Sequence, residues 1–271
     1  MKSLVRWLAL AFAFCAAAAA EENKTELLWL GQSCWRITLP DGKVIVTDPW
    51  LITNPKAPAQ YKNLDAIGKV DLILVSHAHR DHIADAPALA KKNNARIWGP
   101  AGLQQSMVAL GIVPEELAGR FNKGGTIEPF GPGSVKITAT HAEHSSELLW
   151  KNPATGKVEV HDGSEPMGFI ITLPDGFRIY HMGDTALFGD MKFIGEYYKP
   201  DLVLIPIGGH SVMDPNDAAY ATREWLKPRY AIPMHYGTNP TLKGTPEEYI
   251  RALGDAPVNV MPISPGDKVE F

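Results

Sequence analysis

Apolar residues in this chain fall into short continuous runs. Val70, Asp71, Leu72, Ile73, Leu74, Val75 is one; Pro200, Asp201, Leu202, Val203, Leu204, Ile205 is another. Runs of this length with little polar alternation mark strands covered on both faces. Two further segments, Arg-Ile-Thr-Leu-Pro-Asp-Gly at 36–42 and Ile-Ile-Thr-Leu-Pro-Asp-Gly at 170–176, place Pro-Asp-Gly between extended stretches. Each predicts a β-hairpin, the first returning into Thr47-Asp48 and the second into Gly183-Asp184. Each buried run is followed by a predicted helix, at 84–93 and 215–226, and then by a strand, at 95–98 and 230–234.

These features repeat in order. The hairpins are offset by 134 residues, the buried strands by 130, and Pro132-Gly133-Ser134-Val135 is echoed 133 residues later by Pro265-Gly266-Asp267-Lys268-Val269. Ordered matches at nearly one offset predict two similar halves, about 27–146 and 165–271. The expected architecture is α/β: two sheets packed face to face, one from each half, with helices outside, a four-layer αββα sandwich. Function then belongs where the halves meet, at the strand ends. Segments 51–69 and 147–168 interrupt the repeat and are the places to look for specificity.

With 271 residues, 45% of them hydrophobic, the chain can bury a large core. Its first residues change the picture only in one respect. Lys2 and Arg6, the apolar stretch 7–14 and the tract ending Ala18-Ala19-Ala20 read as a secretory signal cleaved after Ala20, giving an exported, periplasmic protein with no stable membrane anchor. Phe14 before Cys15 argues against lipidation. Cleavage leaves 24 basic against 30 acidic side chains, a net charge of −6 with histidines neutral, which gives no support for nucleic-acid binding. It also leaves Cys34 as the single cysteine, expected as a buried small hydrophobe.

Candidate chemistry concentrates in six consecutive residues, His77-Ala78-His79-Arg80-Asp81-His82, directly after the buried run that ends at Val75. His77 and His79 lie on one side of an extended segment, so both imidazoles can reach one cation. Asp81 and His82 follow as the chain turns into a helix and can address a second ion nearby. Crowding imidazoles and a carboxylate without a cation would cost stability.

This His-x-His-x-Asp-His pattern resembles the signature of the metallo-β-lactamase fold superfamily, whose members share the αββα sandwich of two similar halves. The resemblance spans nearly all of the mature chain. It is strongest to the branch of metal-dependent hydrolases similar to L-ascorbate-6-phosphate lactonase, through Asp48-Pro49-Trp50, Asn54-Pro55, Ile207-Gly208-Gly209 and Met234-His235-Tyr236-Gly237. It implies a ligand set: His77, His79 and His144 on one ion, Asp81, His82 and His235 on a second, and Asp184 bridging both. His141 competes with His144, which is preferred because His-Ser-Ser resembles one branch of these hydrolases. Asp48 is implied to orient the metal loop. His210 and Tyr236 are candidates for oxyanion or substrate contact, although Tyr236 equally suits the core; Trp150 is unassigned.

The implied activity is a metal-dependent hydrolase. It uses a hydroxide bridged by two divalent ions, Zn²⁺ or else Mn²⁺ or Fe²⁺, to cleave a small ester, lactone or phosphoester. Asp184 holds both ions, and Asp81 can accept a proton from the water. An exported β-lactamase is the nearest alternative. A non-catalytic metal- or ligand-binding envelope protein is the alternative from another class.

Overall fold

The computed structural model describes residues 24–271; the expected signal segment lies outside them. In chain order, β1 (Glu26–Trp29), β2 (Trp35–Thr38), β3 (Val44–Thr47), β4 (Leu72–Leu74), β5 (Arg96–Pro100) and β6 (Ala118–Phe121) come first. Then follow β7 (Thr126–Ile127), β8 (Lys136–His141), β9 (Glu147–Lys151), β10 (Val158–Asp162), β11 (Met167–Thr172) and β12 (Arg178–His181). The chain closes with β13 (Leu202–Pro206), β14 (Tyr230–Met234), β15 (Asn259–Val260) and β16 (Lys268–Glu270). The helices are α1 (Arg80–Ile83), α2 (Ala86–Asn93), α3 (Ala101–Ala109), α4 (Met191–Tyr198), α5 (Pro215–Tyr220) and α6 (Pro246–Leu253). A wider π-turn, Ala221–Leu226, continues α5, so the predicted helix at 215–226 is present in two geometries.

Both large sheets have seven strands and the same topology. One runs β16-β1-β2-β3-β4-β5-β6 and the other β7-β8-β11-β12-β13-β14-β15. In each, the first three pairings are antiparallel and the last three parallel. The hairpin turns fall at the two Pro-Asp-Gly sites, where Gly42 and Gly176 take φ of +81° and +92°, a conformation that costs glycine little.

The sheets differ in two ways from one sheet per half: β7 and β8, within 27–146, belong to the second sheet, and β16, within 165–271, to the first. The strand completing the edge of the first sheet, β16, arrives from the carboxyl end, whereas its counterpart β7 directly precedes β8. The two Pro-Gly echoes therefore introduce non-equivalent strands, β8 and β16. Pro-Gly sets a turn and carries no information about which edge the next strand joins.

Alternation explains the apolar runs. Leu72 and Leu74 of β4 face the layer between the sheets, with Trp29, Trp35, Phe169 and Leu204. Ile73 and Val75 face outward onto Leu89 of α2 and Leu103 and Met107 of α3. In β13, Leu202 and Leu204 point inward, while Val203 and Ile205 meet Ile194 of α4 and Tyr249 of α6. Each such side chain, removed from water on a doubly covered strand, contributes about 1.5–3 kcal/mol. The layers are thus helix, sheet, sheet, helix, and the parallel strands deliver their carboxyl ends to one edge.

Segment 51–69 forms two short 3₁₀ turns, and 147–168 forms the hairpin β9-β10, a separate two-stranded sheet. Cys34 is buried, and burial pushes its thiol pKa well up.

Candidate metal centre

Strand ends supply every member of the cluster. The loop after β4 carries His77 and His79 and runs into α1, which holds Asp81 and His82. The loop after β8 brings His144, that after β12 brings Asp184, and His235 follows β14 directly. Two groups form whose potential ligand atoms all lie within 4.8 Å of one another: His77, His79 and His144, and Asp81, His82, Asp184 and His235.

Asp184 lies between them. Its Oδ1 is 3.2 Å from His82 Nε2; its Oδ2 is 2.9 Å from His235 Nε2, 3.7 Å from His144 Nε2 and 4.0 Å from His77 Nε2. Asp81 Oδ2 lies 3.5 Å from His235 Nε2 and 3.8 Å from His82 Nε2.

Behind the cluster, hydrogen bonds orient the rings. Ser76 donates from N and Oγ to Asp48, at 2.7 and 2.8 Å. Its hydroxyl oxygen is left to accept from His77 Nδ1 at 3.0 Å. His82 Nδ1 donates to Asp48 Oδ2 at 2.9 Å, and His79 Nε2 to Glu147 Oε2 at 3.1 Å. The other nitrogens, His77 Nε2, His82 Nε2 and His79 Nδ1, therefore face the cluster, the arrangement by which protein frameworks fix metal-binding tautomers.

The donor set fits a divalent cation. His77 Nε2 is buried without a hydrogen-bond partner, and His82 Nε2 and Asp184 Oδ1, also buried, have only each other at 3.2 Å, a costly state for polar atoms unless something else satisfies them. Imidazole with carboxylate suits zinc, manganese or iron.

Electrostatics agree. Burial, reinforced by the charge of His82, holds His77 well below the usual histidine range, and burial also lowers His144. Burial alone would lower His82 and His235, but Asp184 and its neighbours outweigh it. They raise His82 well above its ordinary value and His235 to about 9. Burial would raise Asp184 and Asp81, yet the adjacent histidines keep both below the usual carboxylate range. At both raised histidines, His82 and His235, a cation would compete with protons.

Three residues here occupy the left-handed region without being glycine: Gln32 (φ 54°), Asp48 (φ 40°) and His235 (φ 55°). Such conformations cost on the order of 1–3 kcal/mol each and persist where surroundings enforce them.

The structure separates the competing histidines. His141 ends β8 against the ring of Phe188, with Lys123 Nζ 3.2 Å from its Nδ1, while His144 enters the cluster. His210 is exposed on a different hollow, beside Asp214, Lys243 and Arg251. Tyr236 packs against Trp29 at 5.7 Å, and burial moves its phenol to about 12. Trp150 lies on β9, its ring edge-on to His161.

Four contributors escaped the sequence reading. Ser76 bonds Asp48 and His77, and Glu147 bonds His79. Gln32 Nε2 donates to Asp81 Oδ2 at 2.7 Å and lies 2.6 Å from His235 Nε2; its Oε1 accepts from Thr238. His181 Nε2 donates to Ser33 O at 2.9 Å, joining the two sheets beneath the cluster. Gln32 and His235 are 203 residues apart, so no local pattern signals their contact; Ser76, beside the motif, was the findable one.

Comparison with known proteins agrees with this picture. Residues 43–236 match the model of the β-lactamase superfamily domain. A UPF0173 metal-dependent hydrolase of Polaromonas is 61% identical over all of this chain and 98% of its own length. One from Rubrobacter xylanophilus is 42% identical over 90% of this chain and 96% of its own. Among solved structures, a metallo hydrolase from the archaeon Ignicoccus hospitalis is 34% identical, with a TM-score of 0.77, covering 92% of this chain and 98% of that one.

Proposed function

Because the chain belongs to the β-lactamase superfamily, among the UPF0173 metal-dependent hydrolases, we propose that it is a dinuclear hydrolase of a small ester, lactone or phosphoester. The observation that carries this is the position of Asp184, whose two carboxylate oxygens reach both ligand groups. His77, His79 and His144 would hold one ion, Asp81, His82 and His235 the other, and Asp184 both. Divalent cations held there would lower the pKa of a bound water to about 7 and would polarise a scissile carbonyl or phosphoryl oxygen.

The chain's own residues do the rest. Asp48, Ser76 and Glu147 lock the three imidazoles of the first loop in the orientation a ligand needs. Asp81 is about a third exposed, whereas Asp184 is buried. Asp81 is therefore the carboxylate placed to take a proton from an attacking water, and Gln32 holds it in place. Zinc is the preferred ion; manganese and iron accept the same donors. The amino-terminal segment is proposed to export the protein to the periplasm.

The test is metal analysis of the purified protein, together with a panel of lactone, carboxylic ester, phosphodiester and β-lactam substrates. Two ions per chain and metal-dependent hydrolysis of one of the first three classes are expected. A His79→Ala variant that loses metal yet keeps all hydrolytic activity would overturn the reading.

A further inference from the structure

The two segments that interrupt the repeat meet beside the cluster. Ile52 and Thr53 from the first and Leu148 and Leu149 from the β9-β10 hairpin close a hollow of about 410 Å³ over α1, within the roughly 300–1,000 Å³ of small-molecule sites. Its walls are mainly apolar: Ile52, Ile83, Ile112, Leu148 and Leu149. Two of these, Ile52 and Leu149, are 49% and 62% exposed and line the same hollow, so that they form one apolar patch rather than scattered surface residues. Arg80, which also lines the hollow, stands between the cluster residues His79 and Asp81.

Charge narrows the occupant. Neither Arg80 nor Lys56 forms an ion pair among the described residues. Lys56 comes from the same interrupting segment as Ile52, and its Cε lies 4.0 Å from where a side chain on Gly237, two residues past His235, would begin. Arg80 thus opens onto the hollow and Lys56 lies beside the loop that follows His235, on a chain whose overall charge is negative. The one carboxylate in the hollow, Asp85, is buried, with Oδ2 accepting from the backbone N–H groups of Leu51 and Ile52 at 2.6 and 3.1 Å. Glu147, at the hairpin's start, is engaged by His79 and Ser145. The two cations are the charged groups left to meet a ligand.

We infer that the substrate is a small anion with an apolar arm: Arg80 and Lys56 hold its carboxylate or phosphate, and the arm lies in the hollow between Ile52 and Leu149. Reaction at the cluster rests on the hydrolase reading; recognition of such an anion does not, and can be measured without turnover.

The experiment is calorimetric titration of the zinc-loaded full chain with 4-phenylbutyrate, its neutral amide, and acetate. The wild type should bind phenylbutyrate at least about tenfold more tightly than either, the scale of one charge-assisted contact or one buried apolar group. K56A/R80A should abolish the preference over the amide. L149D should abolish the preference over acetate, with zinc content unchanged. All three substituted residues are exposed, so folding is not at stake. A preference for the acid that survives in K56A/R80A would mean that the ions alone read the anion, and would overturn the inference; so would an L149D protein that binds phenylbutyrate as the wild type does. Phenylbutyrate binding as expected, with no hydrolysis of any ester, would sink the hydrolase reading and leave this one standing.

Discussion

His82 and Asp48 share a hydrogen bond of 2.9 Å between Nδ1 and Oδ2, both side chains fully buried. One follows β3 and the other belongs to α1, and the bond turns Nε2 of His82 toward Asp184. Asp48 also receives both donors of Ser76, so a single carboxylate braces two rings of the cluster. Replacing Asp48 with Asn should lower zinc affinity by about 10- to 100-fold, the range for groups that orient metal ligands. Competition with a chromophoric chelator measures this; affinity equal to wild type would show that Asp48 serves the fold alone.

Asp184→Asn keeps the shape of the side chain but removes the charge that faces His82 and His235. The variant should bind at most one zinc per chain against the two proposed for the wild type, read by elemental analysis after dialysis. Retention of two tightly held ions would exclude a shared carboxylate.

Protons and cations compete for the same nitrogens. In the metal-free protein His235 titrates at about 9, against about 6.5 when unfolded. At pH 7.5 zinc binding should therefore release about one proton from His235 alone, and apparent zinc affinity should climb as pH rises from 6.5 to 9. Calorimetry in buffers of different ionisation enthalpy gives the proton count. For the metal-free protein the sign is opposite: a raised folded pKa stabilises fully below about 6.5, and that stability is lost as pH rises through 9. Asp184, held low, contributes above the ordinary carboxylate range and ceases to do so on acidification. A metal-free melting temperature that increased steadily to pH 9 would contradict this assignment.

The base of the β9-β10 hairpin is sewn to the metal loop. Ser146 Oγ accepts from Ala78 N at 3.1 Å and donates to Gly163 O at 2.9 Å. A side chain on Gly163 would meet Ala78 Cβ and the backbone of Ser146. Neither the methyl of a packed alanine nor a backbone carbonyl can swing away, so Gly163→Ala must move the hairpin or the loop. We expect destabilisation of about 1–3 kcal/mol together with weaker zinc binding, measured by urea unfolding and chelator competition; a variant unchanged in both would show that the two segments are independent.

Much of this protein is written locally. Runs such as Leu72 to Val75 announce strands because a strand covered on both faces must be apolar at every position, and the Pro-Asp-Gly turns mark both hairpins because backbone conformation there depends on neighbours in sequence. The six residues from His77 to His82 announce a cluster of potential ligands for the same reason, since most of their geometry is set within one strand end and one helical turn. What the sequence alone could not decide depends on contacts between distant segments. The exchange of β16 into the first sheet, the choice of His144 over His141, the remoteness of His210 and the grip of Gln32 on Asp81 each follow from how the sheets pack. The hollow between Ile52 and Leu149 belongs with them. Its two walls are about a hundred residues apart in the chain and become neighbours only because the sandwich brings both interruptions to the edge where the strands end.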